Sequence, residues 1–275
     1  MAPFGKRMYG STGVAVAAAH MKGVTITVRK ERFVSNEGAK DIPHKLAEAM
    51  AISTEWLDHA LTLLTRDGFK DGHRVAKAYL MVYRQRAEEF ALPKPTFIPG
   101  RGRAVPVRTP EQLAEQASAA AITQLREKLA NIRIGLGKSQ VIKVNDRGTG
   151  TKDEQGRDKH YLGFVKGVTR ASNTEWGHIE VGYRAFREKA CLPRILIHEG
   201  AHKYTSANDG PETGGYWNSA FADYLKPAAM TFDRCMINAD SHALFVWALN
   251  VGREGVPAIS DAFETAMASR WANGA

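Results

Sequence analysis

Cys191-Leu192-Pro193-Arg194-Ile195-Leu196-Ile197-His198-Glu199-Gly200-Ala201-His202 is the stretch on which the reading of this 275-residue chain turns. Pro193 suits the first turn of a helix, and the apolar run 195–197 drives that helix inward, so His198 and His202 fall one turn apart on one face. Two imidazoles at that spacing form a two-point clamp for a metal ion. Glu199 follows the first histidine directly, where it can reach a water on the metal rather than the metal itself. The pattern His-Glu-x-x-His arises in about one random chain in fifty of this composition, before any demand for a helix. Gly200 adds weight, because a glycine inside a helix costs about 1 kcal/mol relative to alanine and predicts a close approach by another element.

A catalytic zinc takes three protein ligands and keeps one position open, so a third ligand must come from elsewhere in the chain. A third histidine six residues after His202 is excluded, since Asn208 stands there. The best downstream candidate is Asp240, in Asn238-Ala239-Asp240-Ser241-His242-Ala243-Leu244-Phe245. One helix over 228–251 would set Asp240 beside Ile237, Ala243, Leu244 and Trp247 on an internal face, where an unpaired carboxylate is expensive and a cation would offset the cost. His242, two residues and about 200° further round the same helix, falls outside that ligand set and is expected to be supporting or structural.

The blocks His198-Glu199-Gly200-Ala201-His202 and Asn238-Ala239-Asp240 together resemble the aspzincin metallopeptidases, the family of deuterolysin and the lysine-specific metallo-endopeptidases. The resemblance implies one bound zinc ion, Asp240 as third ligand, Glu199 as general base, and a peptide or protein substrate. It implies an α+β, zincin-like fold, mostly helical, with a small antiparallel-edged sheet over the helix of the two histidines. Residues 177–186 look like the family's edge strand and 41–90 like its helical lobe, so the family domain maps onto 41–275 with an insertion at 91–138. The loop Thr205 to Trp217 departs from the family pattern. Either Asp209 or Glu212 could take its acidic, substrate-binding place, with a lysine beside the cleaved bond as the implied preference, and Tyr216 its aromatic place as oxyanion donor. Asp209 reads equally well as part of an ordinary Asn-Asp-Gly turn.

The expected activity is hydrolysis of a peptide bond by water activated on zinc, with Glu199 taking and returning the proton. The competing reading is a zinc-binding effector or toxin module that acts on a non-peptide amide or has an inactive site. A structural zinc would, however, be closed by a fourth ligand and have no use for Glu199.

The rest of the chain supplies scaffold. Hydrophobic residues make up 44% and charged residues 24%, the composition of a globule large enough to bury its own core. The net charge of +9 invites a nucleic-acid partner, but the basic residues are scattered, so neither nucleic acid nor membrane is expected. A monomer is expected. Residues 1–40 read as an N-terminal extension with one strand-like alternation at 24–28 and no convincing signal peptide, which points to secretion by a specialised delivery route. Periodicity predicts helices over about 41–64, 72–90 and 109–135, the last opened by the cap signature Thr109-Pro110-Glu111-Gln112. Short strands are expected at 141–144, 161–165 and 178–183, with a polar loop at 146–159 and a last helix at 259–271. Cys191 and Cys235 either bridge or remain free thiols.

Overall fold

The computed structural model describes residues 14–21, 24–30, 41–65, 67–69, 74–83, 109–145, 148–152, 158–160, 163–165, 177–187, 191–209 and 232–250. These form a mostly helical α+β unit. The strands are β1 (Val14–Met21), β2 (Val24–Lys30), β3 (Gln140–Asn145), β4 (Gly148–Lys152), β5 (Asp158–His160), β6 (Gly163–Val165) and β7 (Ile179–Gly182). The helices are α1 (Ile42–Leu63), α2 (Arg74–Tyr83), α3 (Pro110–Leu136), α4 (Tyr183–Arg187), α5 (Leu192–Thr205), α6 (Phe232–Met236) and α7 (Ala239–Asn250).

Five strands make one mixed sheet in the order β1-β2-β3-β7-β6. β2, β3 and β7 run parallel, and the two edge strands β1 and β6 pair antiparallel with their neighbours. The segment expected to be an N-terminal extension thus contributes two of the five strands. A run of alanines and valines offers little to a periodicity search, and pairing with β2 rather than its own pattern defines β1 as a strand. Residues 177–186 also need correction, because β7 lies between β3 and β6 and the edge belongs to β6. The expected polar loop at 146–159 contains the two-stranded antiparallel ladder β4-β5.

Alternation along the inner strands sets Ile142, Val144, Ile179 and Val181 into the core, with Ile142 opposite Ile179 and Val144 opposite Val181. Helices cover that side, α1 against β1 and β2, and α5 against β6 and β7. α3 starts at the capping box foreseen in the sequence: the Gln112 backbone N–H donates to Thr109 Oγ1, and the Thr109 N–H to Gln112 Oε1. It ends against α5, where two glycines admit the contact. A β-carbon on Gly200 would stand 3.0 Å from Ile132 Cγ2, the close approach its helical position predicted.

A β-carbon on Gly135 would come within 2.4 Å of three Tyr204 ring atoms. Gly135→Ala is therefore expected to lower the melting temperature, because overpacking of about 1–3 kcal/mol exceeds the helix-propensity gain of about 1 kcal/mol. In a Tyr204→Ala background the same change should raise it, which thermal denaturation of the four proteins would check.

The single helix expected over 228–251 is broken. α6 ends at Met236, and Asn238 caps α7, its Oδ1 accepting from the N–H (2.8 Å) and the hydroxyl (3.0 Å) of Ser241. Ile237, at the break, is 47% exposed rather than on the internal face. Among the described residues no helix is long and apolar enough to cross a membrane. Cys191 and Cys235 are not joined in a disulfide. The expected helix at 259–271 and the first part of the expected insertion, 91–108, lie outside the described residues.

Candidate metal centre

α5 carries the two histidines into the interior. Pro193 sits in its first turn, and residues 195–201 are buried beneath α1, α3, α7 and the sheet. The Ser53 hydroxyl on α1 lies 3.1 Å from the Pro193 carbonyl and 2.7 Å from that of Ala49, so it holds the start of α5 to α1. The helix ends at Ser206, whose φ of 56° is the left-handed conformation that turns the chain back on itself. Asn208 then joins the turn before α7: its N–H donates to the Ile237 carbonyl at 2.9 Å, and its own carbonyl accepts from Ala239 at 3.3 Å. The Asp209 N–H donates to Asn208 Oδ1 at 2.8 Å. Three residues of return chain are thus fixed, and Asp209 is brought back beneath the helix that precedes it.

The result is a cluster of three donor atoms. His198 Nε2 and His202 Nε2 lie 3.1 Å apart, and Asp209 Oδ2 is 3.0 Å from the first and 2.8 Å from the second. His198, His202 and Asp209 are the group able to hold a metal ion. Asp240, expected as the third ligand, lies elsewhere: its Oδ1 is 3.1 Å from His198 Nδ1, on the opposite side of the ring, and 3.3 Å from Arg194 Nη1. The break at Asn238 explains the difference. It makes Asp240 the second residue of α7, where the helix dipole favours an anion, and the Arg194 guanidinium offsets much of its desolvation. Asp209, expected to bind substrate, joins the two histidines in the group that could hold a metal ion.

The outer ring nitrogens decide the protonation pattern. His202 Nδ1 donates to the Ala207 carbonyl at 2.8 Å, and His198 Nδ1 donates to Asp240. With both Nδ1 atoms engaged outward, Nε2 is the atom that each ring turns inward toward the Asp209 carboxylate. Bare lone pairs on these three atoms would repel, so the arrangement calls for a positive charge between them, either a metal ion or a proton on His198 Nε2 donated to Asp209. Burial opposes an imidazolium at His198, but Asp209 and Asp240 outweigh it and hold the His198 pKa well above the ordinary histidine value. Burial would raise the Asp209 carboxyl, yet His198 and His202 hold it well below the usual carboxylate range.

A tetrahedral ion with ligands at about 2.0–2.1 Å separates them by about 3.3 Å, so these donors need open by only a few tenths of an ångström. Asp209 Oδ1 and Glu199 Oε2 are buried without a hydrogen-bond partner among the described residues, so both keep acceptor capacity at the site. Glu199 Oε1 stands 4.0 Å from His198 Nε2, outside the converging group of three and near enough to reach a water between them. Burial raises the Glu199 pKa to about 7, with the two histidines pulling it down and the two aspartates pushing it up.

His242 is not part of the centre. It is fully buried with Nδ1 2.8 Å from the Tyr83 hydroxyl, and burial, helped by the Lys128 charge, lowers its pKa to about 3, so it is a neutral core residue. His178 lies away from it too, its Nε2 3.0 Å from Glu180 Oε1 on β7. Tyr216 and Glu212 lie outside the described residues. Arg194 and the Ala207 carbonyl were missed in the sequence. Arg194 could have been found, one turn before His198 on the same stripe, whereas a backbone acceptor leaves no signal in side-chain pattern. The chain matches no protein-family model, and neither the curated proteins nor the solved structures give a significant match.

Proposed function

We propose that this chain is a zinc-dependent endopeptidase of the aspzincin kind, with His198, His202 and Asp209 as the metal ligands and Glu199 as general base. The observation that carries the reading is the convergence of two Nε2 atoms and one carboxylate oxygen, with both Nδ1 atoms already engaged elsewhere. Two imidazoles and a carboxylate suit zinc better than magnesium or calcium, which prefer all-oxygen sets. When bound, the ion would supply Lewis acidity, polarising the scissile carbonyl and easing loss of a proton from water.

The chain's own residues carry the proton and hold the parts in place. Glu199 Oε2, free to accept and with a pKa near neutrality, takes the proton from the attacking water and returns it to the leaving amine. Asp240, pinned by Arg194, and the Ala207 carbonyl fix the two ring orientations. Among the described residues β6 is the edge strand beside α5, and an extended peptide pairing with it would lie along the helix of the two histidines. Tyr216 remains the proposed donor to the oxyanion and Glu212 the proposed partner for a lysine side chain.

Elemental analysis of the purified protein, run beside casein cleavage with and without a strong chelator, tests the reading. About one zinc per chain, cleavage lost on chelation and restored by zinc are expected. The melting temperature should also fall on chelation, since an ion at about 1,000 times its Kd adds about 4 kcal/mol to stability. Absence of stoichiometric metal would end the proposal, and metal without cleavage of casein or a peptide library would move the substrate to another class.

A further inference from the structure

Gly163 is the first residue of the edge strand β6, paired opposite Val181 of β7. Val165, two residues on and opposite Ile179, is buried, so the Cβ direction of residue 163 is also the one that faces the helices. What lies in that direction is Glu199. A β-carbon on Gly163 would stand 2.6 Å from Glu199 Oε1, 3.0 Å from Glu199 Cδ and 2.9 Å from Ile195 Cγ2. Carbon and oxygen do not approach to 2.6 Å without one of them moving, and Glu199, 2% exposed and enclosed by α5 and the sheet, has little room to yield.

The geometry points to Gly163 as the positioning residue for Glu199: the missing side chain at 163 is the space in which the carboxylate rests. Any other residue there would push the carboxylate off β6 and change its distance to the donor cluster, whereas His198, His202 and Asp209 are not among the atoms nearest that β-carbon. The inference rests on the reading of Glu199 as general base for its catalytic consequence, but the steric link between 163 and 199 stands without it.

The test is a double-mutant cycle read two ways. Gly163→Ala is made in the wild-type protein, in Glu199→Gln, which keeps the shape of the side chain, and in Glu199→Ala, which removes it. Melting temperatures are measured on the metal-free proteins. Gly163→Ala should lower the midpoint by at least about 4 °C more in the wild-type and Glu199→Gln backgrounds than in Glu199→Ala. The residual cost in Glu199→Ala reports the Ile195 contact. Equal losses in all three backgrounds would overturn the inference, as would failure of Gly163→Ala to fold in all three. Folding only when Glu199→Ala is also present would support it in its strongest form.

The second readout is steady-state cleavage of a peptide. Gly163→Ala should cut kcat by about 10-fold or more while KM stays within about 2-fold and zinc content is unchanged. Unchanged kcat with an intact thermal coupling would also overturn the positioning role. If the wild-type protein cuts no peptide, the endopeptidase reading fails, and the thermal cycle alone decides whether Gly163 sets the place of Glu199.

Discussion

Asp209→Ala is expected to abolish stoichiometric zinc binding, and Asp240→Asn only to weaken it. The two carboxylates occupy opposite sides of one imidazole. Asp209 Oδ2 meets both Nε2 atoms within 3.0 Å, so removing it deletes a ligand and leaves two imidazoles with no carboxylate in the proposed ligand set. Asp240 instead meets the Nδ1–H of His198 and the Arg194 guanidinium, away from the Nε2 side. Asparagine at 240 keeps an acceptor for the ring and loses the charge, so affinity should fall by the roughly 10–100-fold typical of a lost orienting partner. Asp209→Ala should cost well beyond that range. Competition with a chromophoric chelator measures both constants in one assay. If Asp240→Asn lost metal while Asp209→Ala kept it, the ligand set drawn from the three converging donors would be wrong, and Asp240 would regain the role the sequence suggested.

That contrast also marks where the sequence stopped being informative. The helix of the two histidines was legible because everything it needed was local: Pro193 for the first turn, an apolar run to bury it, and ligands one turn apart. Gly200 reported a neighbour without naming it, and Ile132 of α3 is the atom group in question. The third ligand depended instead on two local events that side-chain periodicity does not register. One is the left-handed Ser206, which reverses the chain after α5. The other is the Asn238 cap, which ends one helix and begins the next and so turns Asp240 away from the expected face. An Asn followed three residues later by a hydrogen-bonding Ser is a cap signal that was present and was read as helix interior. β1 shows the complementary case. Its alanine-rich run has little strand propensity of its own, and only the register with β2 makes it a sheet edge.

Glu199→Gln is expected to leave zinc content unchanged and to reduce kcat by about 10²- to 10⁴-fold, the range that general-base catalysis commonly contributes. The carboxylate lies outside the converging group of His198, His202 and Asp209, so its amide counterpart removes a proton acceptor without removing one of the three proposed ligands. The same substitution has a second, opposite effect on stability. Burial raises the Glu199 pKa from 4.5 to about 7, so the folded metal-free protein favours the protonated carboxyl more than the unfolded chain does. That preference is fully present below about pH 4.5 and is lost as pH rises through about 7. Glutamine is neutral throughout and suffers no such loss. The metal-free variant should therefore match wild type closely near pH 5 and exceed it near pH 8, by on the order of 2–3 kcal/mol. Bound zinc changes the balance, because a cation beside Glu199 favours the ionised form, so the acid limb of kcat/KM should lie below about 7. Denaturant titrations of both proteins at the two pH values, with chelator present, measure the stability arm directly. A variant no more stable than wild type at pH 8 would mean that Glu199 is not held in a medium that resists its charge, and the base would have to be sought elsewhere.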